Sequence, residues 1–368
     1  MTDELLVLSI FALILIFVAV YALVQPSLSR RDLLFGVTVA PGTRETPTAR
    51  RIILRYQALT VLVALMGIAA LVAVYAWLPI EAALVVSSLA LFGIILLCAL
   101  PFLWAYFATR RLAHTQPDTQ PAPLGERPAA ELRPRRYGDY IPWIAEVLPI
   151  AIIAATAVYL ALTYPSVPAR FPSHFDVNGT PNGYSTKSVA SYFTLIWTQL
   201  SLEVILTLLA VLVVGARSLP GEAETRFRRI WVRFLYVLKV GVLVLLGVIA
   251  VAIGNAAVTG TGPSVALIVL PIVLLLLVLG GSLILSLRTG QGGARLSPTA
   301  PATDRMSDRF WFLGSIYVNR SDPSVFVERR FGVGWTMNFG NPLAWLVMAV
   351  ILGAAFASSA IAIIAAGR

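Results

Sequence analysis

The chain has little charge, little histidine and almost no cysteine. Of its 368 residues 12% are charged; there are two histidines, His114 and His174, two lysines, Lys187 and Lys239, and one cysteine, Cys98. A lone cysteine in an apolar run offers no disulfide and no cysteine metal centre. With no Gly-x-Ser-x-Gly, His-Glu-x-x-His or phosphate-cradling glycine loop, and two histidines expected on opposite sides of a membrane, no acid–base pair assembles. Neither enzymatic activity nor a cofactor is expected. A water-soluble fold is excluded too, because 58% hydrophobic residues and a mean hydropathy of +0.83 exceed what a soluble domain can hide.

What the chain does contain is a series of long apolar runs. Runs of the roughly 20 residues that cross a hydrocarbon core begin near Leu5, Gln57, Ala82, Ile141, Val189, Ile230, Pro263 and Leu343. The expected fold is therefore an all-α polytopic membrane protein with about eight transmembrane helices and a small cytoplasmic β unit. Twenty-four of the 28 basic residues fall in the loops after the first, third, fifth and seventh spans. Positive loops stay in the cytoplasm, which puts both termini outside. The acidic start Asp3-Glu4 agrees, and the missing basic n-region argues against a cleaved signal peptide. Topology thus accounts for the net charge of +10. Membrane lipids, through their anionic headgroups, are the expected partners of these arginines, and direct nucleic-acid binding is not expected.

The order of segments is a three-helix membrane part (1–108), a Pro-, Ala- and Arg-rich disordered linker (109–140) and a second membrane part (141–287). A cytoplasmic tether with the β unit (288–342) and a last span (343–368) follow. The second membrane part holds an elaborate outer loop, Tyr164 to Lys187. Four prolines stiffen it, Asn178-Gly179 and Asn182-Gly183 are tight-turn signals, and Ser185 or Thr186 is placed to cap the next helix. His174 and Asp176, two apart on an extended strand, share a face. Three readings stand for His174: a metal ligand, a hydrogen-bonded structural residue, or a group that recognises a ligand or senses pH. Lys187 either anchors a helix end or contacts a ligand.

Charge also occurs inside the expected spans. Gln199, Glu203 and Thr207 recur every fourth residue and share a helix face, with Tyr192 near the same line. Counting the helical rise from the short loop that joins the fifth and sixth spans, Glu203 lies roughly 18 Å deep and Lys239 roughly 12 Å. An ion pair between them is expected, with Glu146 close enough to join. It serves either to fix helix register or as the actuator of a secondary transporter. In the β unit, Ile316-Tyr317-Val318 and Val325-Phe326-Val327 flank Asn319 to Pro323 as strand, turn and strand. Gly332 and Gly334 then permit a bend. Phe-Gly-Val occurs twice, at Phe35 to Val37 and Phe331 to Val333.

The outer loop resembles the membrane family that includes the immunity protein against the sporulation-delaying toxin, with its associated domain of unknown function. The resemblance rests on Val167-Pro168, Pro172, His174-Phe175, Gly179, Pro181, Asn182, Tyr184 and Lys187. Asn182 stands where that motif has Asp, and Tyr184 where it has Trp. The stretch Asp308 to Pro342 is similar to a second uncharacterised domain found with the first. It matches through Trp311, Gly314, Tyr317, Asn319, Asp322-Pro323, Arg330, Gly332, Gly334, Thr336 and Asn338-Phe339. The resemblance implies toxin resistance or signalling. A peptide or other envelope ligand would meet the outer loop, and a small cytoplasmic regulator would be held by the inner β unit through Trp311, Tyr317, Asn319, Asp322, Arg330, Gly332, Gly334 and Asn338.

Overall fold

The computed structural model describes residues 3–115, 135–176, 179–217, 221–264, 266–297 and 307–366. Most of the expected linker, the later part of the tether and Asn178 lie outside these residues. In chain order the helices and strands are α1 (Asp3–Leu28), β1 (Leu33–Leu34), β2 (Val37–Thr38), α2 (Pro47–Trp77), α3 (Ile80–Leu97) and α4 (Ala99–His114). Then come α5 (Val147–Thr163), β3 (Arg170–Phe175), β4 (Pro181–Thr186), α6 (Val189–Tyr192), α7 (Thr194–Gly215), α8 (Glu222–Thr259) and α9 (Ala266–Thr289). The chain closes with β5 (Trp311–Phe312), β6 (Ile316–Tyr317), β7 (Phe326–Glu328), β8 (Trp335–Met337) and α10 (Pro342–Ala366). The fold is mostly helical, as the apolar runs require. Among the described residues seven helices are long and apolar enough to cross a membrane, which fits a multi-pass membrane protein. The eighth expected span is α10, whose described apolar stretch, Pro342–Gly353, is shorter.

Two compact units share these elements. One contains Met1–Leu132, Ala216–Phe227 and Gly281–Asn341, so the β unit belongs with the N-terminal helices. The other contains Arg133–Gly215, Arg228–Gly280 and Pro342–Arg368.

In the first unit, α2 starts where Thr46 accepts a hydrogen bond from the Ala49 amide and Pro47 supplies a preset first residue. The expected third span is two helices, α3 and α4, meeting at Cys98 just before Pro101. Proline there removes a backbone donor and breaks the ladder. Phe35, Tyr56, Phe102 and Phe331 form one aromatic core, with Phe35 and Phe331 centroids 5.4 Å apart. The two Phe-Gly-Val tripeptides therefore meet in space. Phe35 and Gly36 both have positive φ and close the β1–β2 turn, which lies directly against Gly314.

The strand pairing departs from expectation. Ile316-Tyr317 pairs with Trp311-Phe312, not across Asn319 to Pro323, and β7 pairs with β8 through the bend at Gly332 and Gly334. The reason is Asn338. Its side-chain oxygen accepts from the Asn319 and Gly340 amides, and its amide donates to the carbonyls of Asn319, Asp322 and Ser324. The intervening loop is thereby held open around a buried amide and cannot close as a hairpin.

Several arginines cap helices. Arg44 donates to the carbonyls of Pro26, Ser29 and Arg30 at the end of α1. Arg228, fully buried, donates to those of Val213 and Val214 at the end of α7. Arg295 reaches the Leu287 carbonyl near the end of α9. A guanidinium there satisfies free carbonyls and meets the negative end of the helix dipole. Burial lowers the pKa of Arg44, against the pull of Glu45 and Asp32.

Candidate functional site

The loop from Tyr164 to Lys187 is an antiparallel hairpin rooted in the helical core of the second unit. Phe171 on β3 is buried edge-on to Tyr192 and packs with Val167, Leu160, Ile196 and Leu243. Bulges on either side of His174 re-aim the strand there. His174 faces Gly183, where a Cβ would come within 2.8 Å of the His174 Cβ. Asn182-Gly183 is therefore part of β4 and not a turn; its glycine makes room for the imidazole. The turn itself is closed by Asp176, whose carboxylate accepts from the Thr180 amide at 2.7 Å. Gly179, at φ +79°, lies in that turn against Gly262 and Pro263, so close that no side chain fits at either glycine.

This placement opens a cleft of about 170 Å³ between the hairpin and the α8–α9 corner. Ser173, His174, Phe175, Asp176 and Gly179 line one wall, and Ile249, Ile253, Pro263, Ser264 and Leu267 the other. His174 is exposed, and its Nδ1 lies 2.5 Å from the Asn182 side-chain oxygen. Since that oxygen accepts, Nδ1 donates, which in a neutral ring leaves Nε2 as the acceptor. Asp176 closes a turn instead of standing beside the imidazole on a strand face. Among the described residues no three His, Cys, Asp or Glu side chains converge as a metal site.

Other expected ligand contacts have structural employment. The Lys187 ammonium donates to the Val167 carbonyl at 2.8 Å and the Pro165 carbonyl at 3.3 Å, and stands over the Tyr164 ring. It pins the base of the hairpin. Tyr184 stacks under Arg170, and Pro172, opposite Tyr184, is buried. Pro181 opens β4 and pairs with Phe175. The helix that follows is capped by Ser188 in a capping box with Ser191; Ser185 bonds across the strands to Ser173.

Beneath the hairpin, α5, α7 and α8 bring the intramembrane charges together. Lys239, 2% exposed, donates to Glu146, to Glu203 at 3.0 Å and to the Thr207 hydroxyl at 2.8 Å. Thr207 in turn donates to Glu203 at 3.1 Å, and the Tyr137 hydroxyl donates to Glu146 at 2.5 Å. Gln199, on the same face of α7, is buried and donates to the Leu243 carbonyl. Burial pushes the Tyr137 phenol well above its ordinary pKa, and the neighbouring Glu146 pushes it further, so it remains a donor. Tyr137 carries no periodic signal in the sequence and was not expected here.

In the first unit, the residues expected to form a partner surface are mostly interior. Trp311, Tyr317, Asp322, Arg330, Gly332 and Asn338 are buried, with Asn319 and Gly334 half-buried. They hold the unit together. Asp322 accepts from Tyr317, Arg217 and Ser324. Arg330 donates to Asp308 and the Gly36 carbonyl and lies over the Trp311 ring. Gly332 and Gly334 donate their amides to Ser29 and Gln291. Burial alone would raise the Asp322 pKa; hydrogen bonds from Ser324 and Tyr317 and the charge of Arg217 hold it below 3.8. What the unit does expose is the other face of β5–β6: Phe312, Ile316 and Val318.

Two family models match parts of the chain. Residues 151–198, covering α5, the hairpin and the start of α7, match a domain of unknown function, DUF1648. Residues 320–345 match a family of unknown function, DUF5808. No curated protein and no solved structure matches.

Proposed function

We propose that this is a bacterial inner-membrane protein that senses or neutralises an envelope ligand at the β3–β4 hairpin and relays its presence to a cytoplasmic partner. The observation that carries this reading is the cleft beside His174. It combines an apolar wall from Ile249, Ile253 and Leu267 with an imidazole acceptor at its mouth. That chemistry suits an apolar or aromatic group bearing a hydrogen-bond donor, such as a side chain of a peptide. The close Gly179–Gly262 backbone approach holds the hairpin turn against the α8–α9 corner.

In this reading both termini and the hairpin face outward, following the arginine bias. The protein is of the toxin-immunity and signalling type. The inner partner, a small regulator, docks on the exposed Phe312, Ile316 and Val318 face with Arg320 at its edge. The test is a benzoyl-phenylalanine crosslinker at Leu267 in living cells. The expected result is a discrete adduct that disappears in His174→Ala. An adduct pattern unchanged by that substitution refutes the reading.

The Lys239 cluster favours a second reading, secondary transport. Neutral replacement of Glu203 and Lys239 together separates the two: transport stops, whereas crosslinking at Leu267 persists in a folded sensor.

A further inference from the structure

Charge does not balance in the buried cluster. The Lys239 ammonium has three donors, and all three are taken by Glu146, Glu203 and Thr207. Two carboxylates thus share one ammonium. Among the described residues two phenols also face them: Tyr137 donates to Glu146, and Tyr236 donates to the Ala145 carbonyl. Arg228 on α8 is engaged with the carbonyls at the end of α7. Helix α10, which packs on α7, contains no charged residue between Pro342 and Ala366. A net negative charge enclosed by apolar helices is strongly disfavoured unless another positive charge joins it.

The two carboxylates are not equivalent. Glu146 stands at the N-cap position of α5, where the helix dipole favours negative charge, and both its oxygens accept hydrogen bonds. Glu203 lies in the middle of α7, remote from a helix start. Its Oε1 accepts from Lys239 and Thr207, while its Oε2 is buried with no hydrogen-bond partner.

We propose that the cluster is a proton-binding site within the membrane and that Glu203 Oε2 carries the proton. Uptake forms one O–H bond with a proton from water and leaves one ammonium, one carboxylate and one neutral acid, a balanced set. Release restores the excess negative charge, which Lys239 is placed to offset. Occupancy is therefore linked to the α7–α8 register that lets Lys239 reach both acids. This site stands independently of the ligand reading at the hairpin.

The test is infrared difference spectroscopy on the full-length protein in nanodiscs of neutral lipid, with 13C-labelled glutamate. The expected result is a protonated-carboxyl C=O band at neutral pH that shifts on labelling, is lost in Glu203→Gln and, in the charge-conserving variants, keeps its label in Glu146→Asp and loses it in Glu203→Asp. Absence of a labelled band in the wild type overturns the proposal, as does its survival in a folded Glu203→Gln. A band that appears only when sodium is replaced by choline assigns the charge to a metal cation and also overturns it. Should Glu203→Gln not fold, the charge-conserving pair decides: a labelled band kept in Glu146→Asp and lost in Glu203→Asp supports the assignment, and the reverse overturns it.

Discussion

Replacing Lys239 with methionine removes the ammonium that bridges a buried site while keeping the stem that fills it. The ammonium engages three acceptors, two of them carboxylates, and is 2% exposed. Breaking a buried pair by deleting one partner costs about 3–5 kcal/mol, because the charge left behind is uncompensated. With Glu203 protonated, the Glu146 carboxylate is left uncompensated beside it, so Lys239→Met belongs in that range. Adding Glu146→Gln removes the charge that stays beside Glu203, leaving mainly lost hydrogen bonds of about 1 kcal/mol each. The double variant should therefore be more stable than Lys239→Met alone, with a coupling of at least about 2 kcal/mol. The assay is unfolding in mixed micelles followed by far-UV circular dichroism, for the wild type, both single variants and the double. A single-variant cost below about 1 kcal/mol, or costs that simply add, would refute the ion-pair argument.

Three further outcomes follow from the packing. Gly36→Ala places a Cβ 2.2 Å from the Gly314 carbonyl oxygen at φ +80°, so it should destabilise the first unit by about 1–3 kcal/mol. Gly93→Ala, inside α3 with open space around it, is the control and should not lower the melting temperature. Arg228→Met strips the cap from the end of α7 and should cost about 2 kcal/mol, read as lowered thermal stability. Asp322 is held below its ordinary 3.8, so it stabilises the fold above that pH, and the contribution fades as pH falls through the depressed value. Asp322→Asn should remove that acid-side loss, and an unchanged acid profile would contradict the Arg217, Ser324 and Tyr317 contacts.

The membrane helices were legible because hydrocarbon demands long apolar runs, and no other fold of this chain provides them. The meeting of Glu203 and Lys239 was legible for a related reason: helical rise fixes depth, and a short loop makes neighbours of α7 and α8. Strand pairing in the β unit was not, because Asn319 to Pro323 has the composition of a turn while Asn338, distant in sequence, decides its shape. The Asn182-Gly183 pair misled in the same way. Its glycine answers a neighbour across the hairpin, which local sequence does not display. The residues expected at a partner surface are mostly interior, because the motif residues of the β unit are its internal fastenings. Ile249, Ile253 and Leu267 were invisible as cleft residues, since an apolar position facing a cleft reads the same as one facing lipid.

The most direct test of outside recognition with inside relay is cysteine accessibility in intact cells. In a Cys98→Ala background, Thr180→Cys at the hairpin and Arg320→Cys in the β unit are both exposed positions. A membrane-impermeant maleimide should label Thr180→Cys in intact cells and Arg320→Cys only after permeabilisation. Equal labelling of the two before permeabilisation would contradict the account.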